Sequence, residues 1–537
     1  MKKFIKTIKS NKVLSVLSVL IIGLLFILVA RVTYAFLAPV INESQTNVVG
    51  TTDTVDDFKF ELGDALKLDA SPTTLKENGS NYSSSTTAKA LLKANSTKNT
   101  ATFNYYVYFQ IKSNTFTYSD GSTPEIILTV TDPNGDEITS IDGLTYGTFN
   151  GVSGFDVTTK KGLFNIANNH EITSNSSTTY TTQSWTIKIT YLNLSIDQST
   201  NFGNSMDVNV YITKNEKKPT LADVCSNGQT LSSCIVAMYG KDDTLYHHTS
   251  ELTNGAGDNS YRYAGASESV NNFVCFGSTP KPCPTDNLYR IIGVFEDKVK
   301  LIKYDYATSA LLGTDGDSND KYTTYASEYE WDNSNYKGNN LANIEGYAWN
   351  LKNSIDIDYN YGSNTWSTSL LNKTNLNTNF ITSIGADWAN RIDMTTWKVG
   401  GNTDIYNQPA KTAYQNEINH PVTTNTTDNA IEYSAKVGLM YASDYGFAAT
   451  PSAWTNNLSS YNGEAIKNAN WMYMGLREWT ISRAASAANG AYNVLDNGRI
   501  IAYTTNKLFA VRPVFSLSSS VNYVSGSGSA VDPIRVN

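Results

Sequence analysis

Hydrophobic and polar residues alternate along several segments of the first half of the chain. In SWTIKITYLNL (184–194), Trp185, Ile187 and Ile189 alternate with threonine and lysine, a pattern typical of a strand with one face in water. Further runs of this kind occupy residues 103–111, 125–132 and 206–214, and TDPNGDE and SDGSTP between them are turn sequences. Residues 42–214 are therefore predicted to form an antiparallel β-sandwich domain, whose N-terminal part, residues 42–100, is a loose stretch rich in Ser, Thr, Asn and Ala.

The second half of the chain contains some segments with the two-residue period of strands and others with the 3.6-residue period of helices. Residues 215–230, which include Pro219, are predicted to be a linker, and residues 231–537 an α+β domain. LYRIIGVF and KVKLIKYD, separated by a short Glu-Asp turn, predict a hairpin within 287–307. Helices are predicted at 231–240, 341–355 and 377–392, and strands at 436–448, 471–483, 498–505 and 508–521. The fold class expected is mainly β.

A charge-free apolar run from Val13 to Ala30 follows five lysines and precedes Arg31. As a helix it nearly spans the hydrocarbon core of a membrane, and the lysines place its N-terminal side in the cytoplasm. Residues 1–41 are therefore predicted to be a cytoplasmic tail with a retained signal anchor. The alternative is a signal peptide cleaved after Ala35, because Thr33-Tyr34-Ala35 offers small residues at a cleavage site. Either way, the rest of the chain would be exported.

Charge and composition narrow the function classes. The formal net charge is −8 and the pI is near 5.2, with no concentrated group of Lys and Arg beyond the N-terminus. A general nucleic-acid binder needs a basic face to neutralise phosphates, so nucleic acid is not expected as a partner. The membrane, through residues 13–30, and an extracellular glycan or protein are the expected partners.

The four cysteines, Cys225, Cys234, Cys275 and Cys283, lie within one short window. Export makes disulfides chemically accessible. Three pairings exist, and pairing within each short loop, Cys225 with Cys234 and Cys275 with Cys283, is preferred. A zinc site is an alternative, although neither pair has CxxC spacing and only His247 and His248 lie nearby. Four free thiols are the third possibility.

Motifs for familiar enzyme chemistry are absent from the sequence. It contains no GxSxG, HExxH or GxxxxGK[ST], and the four histidines are His170, His247, His248 and His420. A pair of carboxylates could still meet in space, as in glycosidases. Glu478, beside Trp479, is the first candidate for a raised pKa, but an ion pair with Arg477 or Arg483 is the favoured interpretation.

GTDGDSNDK (313–321) places Asp315, Asp317 and Asp320 in a loop that contains glycine. Alternating carboxylates of this kind can bind calcium, which is abundant outside cells. A structural calcium site is therefore a hypothesis here, and a solvated loop is the favoured alternative. No other cofactor is predicted.

NWMYMGLREWTISR (470–483) combines Trp471, Tyr473 and Trp479 with the adjacent Arg477 and Glu478. As a strand, it would present Trp471, Tyr473, Arg477 and Trp479 on one face, and flat rings with a guanidinium can stack on a sugar or a peptide. The opposite face, with two methionines and a leucine, is typical of a core. Most of the stretch is interpreted as structure, with an aromatic ledge for a ligand as the functional hypothesis.

Several segments in order resemble a group of uncharacterised exported proteins of Gram-positive gut bacteria. They are YRYAGASESVNNFVCFGS, LYRIIGVFEDKVKLIK, GLMYASDYGFAA, NWMYMGLREWTISR and AVRPVFSLSSSVNYVSGSGSAVDPIRVN, so the resemblance covers roughly residues 260–537. The resemblance implies a shared C-terminal domain of unknown function, and it gives little information about activity.

The EWT…RPVF ending is also similar to the formylglycine-generating and C-type-lectin fold group, which implies C-type-lectin-like character. The copper-binding cysteines of that oxidase should lie near the C-terminus, and no cysteine follows Cys283, so the oxidase activity is not expected. Lectin motifs of the EPN and WND type are not matched, since WDN at 331–333 has the wrong order. The TYA segment and the β-rich region after it resemble secreted matrix and camelysin-like proteins.

Together these features predict a membrane-anchored or secreted bacterial surface protein. The leading hypothesis is a non-enzymatic binding module for an extracellular glycan or protein. One alternative is an unrecognised enzyme of the formylglycine-generating fold group without its copper cysteines. The other is a structural matrix or envelope component.

Overall fold

The structure, a computed structural model, describes residues 35–37, 43–44, 56–66, 69–70, 80–351, 362–419 and 431–537. The chain divides into two compact units at Pro219 and Thr220. The predicted membrane segment 13–30 lies outside the described residues. Within the described part of the chain, no helix has both the length and the apolar character needed to cross a membrane.

The first unit contains two sheets of six described strands each. The first sheet has the order Gly162–Ser174, Ala101–Asn114, Ser205–Thr213, Ala35–Leu37, Asp69–Ala70, with Glu43–Ser44 also paired to Ser205–Thr213. The second has the order Asp57–Leu62, Tyr82–Lys93, Thr181–Tyr191, Ile126–Thr131, Val152–Asp156, Thr145–Phe149. The neighbours are antiparallel except Ala35–Leu37 and Glu43–Ser44, which run parallel to Ser205–Thr213. One 3-10 turn, Ser199–Asn201, precedes the last strand.

The alternating pattern places the core of this unit between its two sheets. Trp185, Ile187 and Ile189 are buried, whereas Lys188 between them is exposed. The indole Nε1 of Trp185 donates to the hydroxyl of Tyr105, 2.9 Å away on the other sheet. Both sheets contribute to one continuous hydrophobic cluster, which confirms the mainly β, antiparallel architecture predicted here.

The second unit is built on a larger sheet. Its order is Val437–Gly438, Val514–Ser516, Lys298–Lys303, Leu288–Phe295, Phe273–Cys275, Ile534–Val536, Tyr523–Ser525. Tyr261–Tyr263 also pairs with Leu288–Phe295, and Leu245–His247 pairs with Tyr261–Tyr263. Three smaller sheets are Gly401–Asn402, Glu478–Ala484, Gly490–Val494, Ile500–Thr504; Ser318–Lys321, Glu345–Ala348, Leu508–Phe509; and Thr395–Lys398, Glu432–Ala435.

The helices of this unit are short. The α-helices are Leu221–Val224, Leu231–Val236, Ser309–Leu312, Tyr322–Glu328, Ile381–Ser383, Ala386–Ala389, Ala410–Tyr414, Ala442–Phe447 and Glu464–Asn468. Leu371–Phe380 and Gln415–Asn419 are π-helical. The 3-10 turns are Thr285–Asn287, Leu341–Asn343, Trp366–Thr368, Ile405–Asn407, Pro451–Ala453 and Leu458–Ser460.

The predicted hairpin is confirmed: Leu288–Phe295 pairs with Lys298–Lys303 in antiparallel register. The helix predicted at 341–355 is wrong, because Glu345–Ala348 is a strand paired on both sides and all four of its residues are buried. A strand with both faces covered need not alternate, so its apolar spacing resembles that of a helix.

The predicted linker extends too far. Residues 221–224 form a helix whose Leu221 is buried, and Cys225 is fully buried beside it. Both residues belong to the main hydrophobic cluster of the second unit. The boundary between the units therefore lies near Pro219, and the residues after it are part of the second core.

The preferred disulfide pairing is confirmed. Cys225 is bonded to Cys234 and Cys275 to Cys283. Each bond closes a short loop. Cys225 and Cys234 belong to the main hydrophobic cluster of the second unit. All four cysteines are bonded, and the zinc alternative is thereby excluded for them.

Candidate functional site

The second unit contains a cavity of about 500 Å³, within the size range of small-ligand sites. Its wall is formed by the hairpin end at Phe295–Lys300, the strand Thr395–Lys398, the helix pair around Tyr414 and Asp444, and the segment at Asp258–Arg262. Five separate stretches of sequence therefore meet at one place.

Charged residues form the base of this cavity. The Arg262 guanidinium contacts Asp258 at 2.6 Å and Asp444 at 3.2 Å, and the Lys300 ammonium contacts Asp444 at 2.5 Å. Asp444 also accepts a hydrogen bond from the amide of Tyr441 at the start of its own helix. Arg262, Lys300 and Asp444 are all buried, so the network is shielded from bulk water.

Burial and ion pairing act in opposite directions on these groups. Burial lowers the pKa of Lys300, and Asp444 opposes this effect. For Asp258, burial acts to raise the pKa, but Arg262 and the Ser260 hydroxyl hold it well below its usual range. Asp258 therefore stays ionised at neutral pH.

Aromatic rings surround the charged base. The Lys300 ammonium lies 4.7 Å from the ring centre of Tyr441, 5.3 Å from Phe295 and 5.7 Å from Trp397. Arg262 lies 4.6 Å from the Phe295 ring and 5.2 Å from that of Tyr414. Cations above ring faces are attracted by the ring quadrupole, which stabilises this arrangement.

Each of the four cations in the described wall has a carboxylate partner. Arg262 and Lys300 pair as above, Lys298 contacts Asp393 at 2.7 Å, and Lys398 contacts Glu432. Paired cations offer hydrogen bonds without a net positive field. The cavity therefore suits a neutral polar ligand better than a phosphate or sulfate, which would need unpaired cations.

Glu417 lies behind this network. It is buried, accepts a hydrogen bond from the amide of Ser443 at 3.1 Å, and is also bonded to the hydroxyl of Ser482. Burial raises its pKa to about 7, although the two serines act to lower it. Glu417 is thus protonated in a large fraction of molecules at neutral pH.

Glu417 should make stability fall as pH rises. The folded state binds its proton more tightly than the unfolded chain, so the stability present below about pH 4.5 is lost as pH rises through about 7. Glu417→Gln removes this titration and should reduce the loss between pH 5 and pH 8 by about 2–3 kcal/mol. Urea unfolding at both pH values tests this, with Glu296→Gln on the exposed rim as control. Equal pH dependence in wild type and Glu417→Gln would refute the assignment.

The aromatic stretch 470–483 forms core rather than a ledge. Trp471, Tyr473 and Trp479 are all about 99 % buried or more, and the strand covers only Glu478–Ala484. Their polar atoms donate to backbone carbonyls of Tyr263, Asp496 and Tyr347 respectively. The hypothesis that these three rings stack on a ligand at the surface is therefore wrong.

Arg477, the fourth residue of the predicted aromatic ledge, is half-buried. Its guanidinium lies 4.6 Å from the Trp331 ring and 3.5 Å from Asp496. It packs within the protein, and lies outside the cavity described above.

Glu478 forms a buried ion pair, as favoured, but with a different partner. Both of its oxygens accept hydrogen bonds from Arg512, at 2.7 and 2.8 Å. Neither Arg477 nor Arg483 takes this role. Burial raises the pKa of Glu478 and Arg512 opposes that effect, so the expected direction of the shift is confirmed.

Asp317 organises the loop at 313–321, for which calcium binding is the hypothesis. This buried carboxylate accepts backbone hydrogen bonds from Leu351, Leu370 and Leu371 at 2.8–3.2 Å. Asp315 accepts from the side-chain amide of Asn379, and only the backbone of Asp320 is described. Among the described residues, no three His, Cys, Asp or Glu side chains are grouped to hold a metal ion. Asp317 thus has a clear structural role, and calcium binding stays a prediction.

The sequence did not single out Arg262, Lys300 or Asp444. All three lie in segments quoted for the family resemblance, YRYAG, KVKLIK and YASDYG. Lys300 lies between Val299 and Leu301 in an apolar strand. The alternation of apolar and polar residues would place it on a face in water, so the local pattern does not indicate that it is buried. Its partner Asp444 is 144 residues away, so no local pattern reveals the pair.

Comparison with protein-family models, with curated proteins and with solved structures gives no match to this chain. The resemblances named above therefore stay predictions, and the cavity is the feature that supports a function.

Proposed function

We propose that the second unit is a recognition module that binds a neutral, polyhydroxylated ligand, an extracellular glycan, in the cavity lined by Phe295, Lys300, Trp397, Tyr414 and Asp444. The observation that carries this proposal is the combination of aromatic walls with a base of fully paired charges. Sugar rings present apolar C–H faces to aromatic rings and hydroxyls to carboxylates and ammonium groups.

The same proposal places the protein at the cell surface. Two disulfides support an oxidising location outside the cytoplasm. The signal anchor at 13–30, cleavage after Ala35 as its alternative, and the C-type-lectin-like character of the larger unit belong to this proposal. A structural matrix role and an unrecognised enzyme are the competing functions.

A glycan array tests the proposal. The full chain, labelled on surface amines, should bind a defined set of glycans, and Phe295→Ala should weaken that binding about tenfold or more because one ring is worth about 1–3 kcal/mol when fully buried by a ligand. Met394→Lys, at a rim residue that is 59 % exposed, should also reduce binding by narrowing the entrance.

Tyr329→Ala is the matched control, since Tyr329 is an exposed aromatic residue outside the cavity wall. Loss of binding in Phe295→Ala but not in Tyr329→Ala would support the cavity. Absence of binding to every glycan, or equal loss in both variants, would reject it and favour a protein partner or a structural role.

A further inference from the structure

The contact between Lys300 and Asp444 is unusual among the ion pairs of the second unit. Its nitrogen and oxygen are 2.5 Å apart, and both side chains are at least nine-tenths buried. Lys300 lies on the strand Lys298–Lys303 and Asp444 on the helix Ala442–Phe447, so the contact joins two elements distant in sequence. An amine and a carboxyl held this closely in a dry environment are the reactants of amide formation.

The surroundings of Lys300 disfavour the charged form of its amine. Phe295, Trp397 and Tyr441 surround the Lys300 nitrogen, and burial lowers the pKa of this amine. A desolvated lysine is a nucleophile once its proton has been transferred. Two buried charges carry a large desolvation cost, and a neutral amide removes both of them.

The carboxyl group is held in position for attack. Arg262 donates to one of its oxygens, Oδ1, at 3.2 Å, while Lys300 contacts the other, Oδ2. Arg262 is itself fixed by Asp258 at 2.6 Å. A fixed guanidinium at Oδ1 would stabilise the negative charge that develops there when the carbonyl carbon becomes tetrahedral.

We propose that Lys300 and Asp444 form an internal amide cross-link. One proton passes from the Lys300 ammonium to the Asp444 carboxylate, and the neutral Nζ then attacks Cγ. The Cγ–Oδ2 bond breaks, and Oδ2 leaves as water carrying both protons lost by the ammonium. The water departs into the adjoining cavity, Oδ1 becomes the amide oxygen, and Arg262 continues to donate to it. Every atom is accounted for, and no oxidant or external reagent is required.

Intact mass spectrometry of the full chain tests the cross-link. The mass is expected to be lower by one water than that of the sequence with its two disulfides, and digestion should yield a branched peptide joining Lys300 to Asp444. Lys300→Met and Asp444→Ala should each restore the water and give linear peptides. A full-mass protein with Lys300 in a linear peptide would overturn the proposal without reference to any variant.

The chain provides a matched control on the same strand. Lys298 contacts Asp393 at 2.7 Å, but these side chains are 38 % and 29 % exposed, so water reaches both of them. Lys298→Met should retain the loss of one water, and no branch at Lys298 is expected. A branch at Lys298 in the wild type would show that proximity alone drives the reaction and would contradict the role assigned to burial. Lys300 and Asp444 also line the proposed glycan site, and an amide between them would leave the base of that site polar but without this charged pair. Mass reports the cross-link and ligand binding reports the glycan site, so either proposal can fail without the other.

Discussion

Glu478→Ala is expected to destabilise the second unit by about 3–5 kcal/mol, the typical cost of leaving one member of a buried ion pair without its partner. Both Glu478 and Arg512 are buried, and Arg512 also donates to the carbonyl of Met472 at 2.7 Å. Removing the carboxylate leaves the guanidinium charged and out of contact with water. Urea unfolding followed by tryptophan fluorescence measures this, because every tryptophan except Trp185 lies in the second unit.

Glu464→Ala is the control for that experiment. Glu464 also pairs with a lysine, Lys467 at 2.6 Å, but its own side chain is 75 % exposed. Exposed pairs contribute little, so the unfolding midpoint should not change measurably. If Glu478→Ala shifted the midpoint as little as Glu464→Ala does, the Glu478–Arg512 pair would not be the buried support inferred from the structure.

Gly475→Ala is expected to cost about 2–5 kcal/mol, from two separate effects. Gly475 has φ +89°, and a residue with a side chain pays about 1–2 kcal/mol in this region. A Cβ at this position would also lie 2.0 Å from the carbonyl oxygen of Asn335, so backbone would have to move, and overpacking of this kind costs about 1–3 kcal/mol or more.

Gly385→Ala separates the two effects. Gly385 has φ +82°, but a Cβ there would meet no atom within 4 Å. Its substitution should therefore cost only the backbone part, about 1–3 kcal/mol for φ +82° with ψ 156°. Equal losses of stability in the two variants would show that the close approach of Asn335 to Gly475 is not a real constraint.

Gly475 explains why the strand predicted at 471–483 is shorter in the structure. Residues 471–474 are all apolar or aromatic, and a short run of this kind is consistent with a buried strand. The left-handed backbone at Gly475 interrupts that geometry, and the strand begins only at Glu478. Glycine marks such an interruption only when its φ is known, so sequence alone could not place it.

The sequence by itself determined the features that depend on local order. Alternation in 184–194 predicted the sheets of the first unit, the Glu-Asp turn predicted the hairpin at 288–303, and short cysteine spacing predicted both disulfides. Each of these arises between residues close in the chain, or from a repeat that any sheet imposes on its strands.

Only the tertiary structure decided where the candidate site lies. Asp444 is 182 residues from Arg262 and 144 from Lys300, and Glu478 is 34 from Arg512. Which charged residues pair depends on their distance in the folded protein. The electrostatic attraction between them weakens with distance and becomes much stronger where water is excluded. Trp471, Tyr473 and Trp479 likewise belong to the core because other elements of the second unit pack against them. Whether an aromatic side chain faces a ligand or the protein interior depends on that packing.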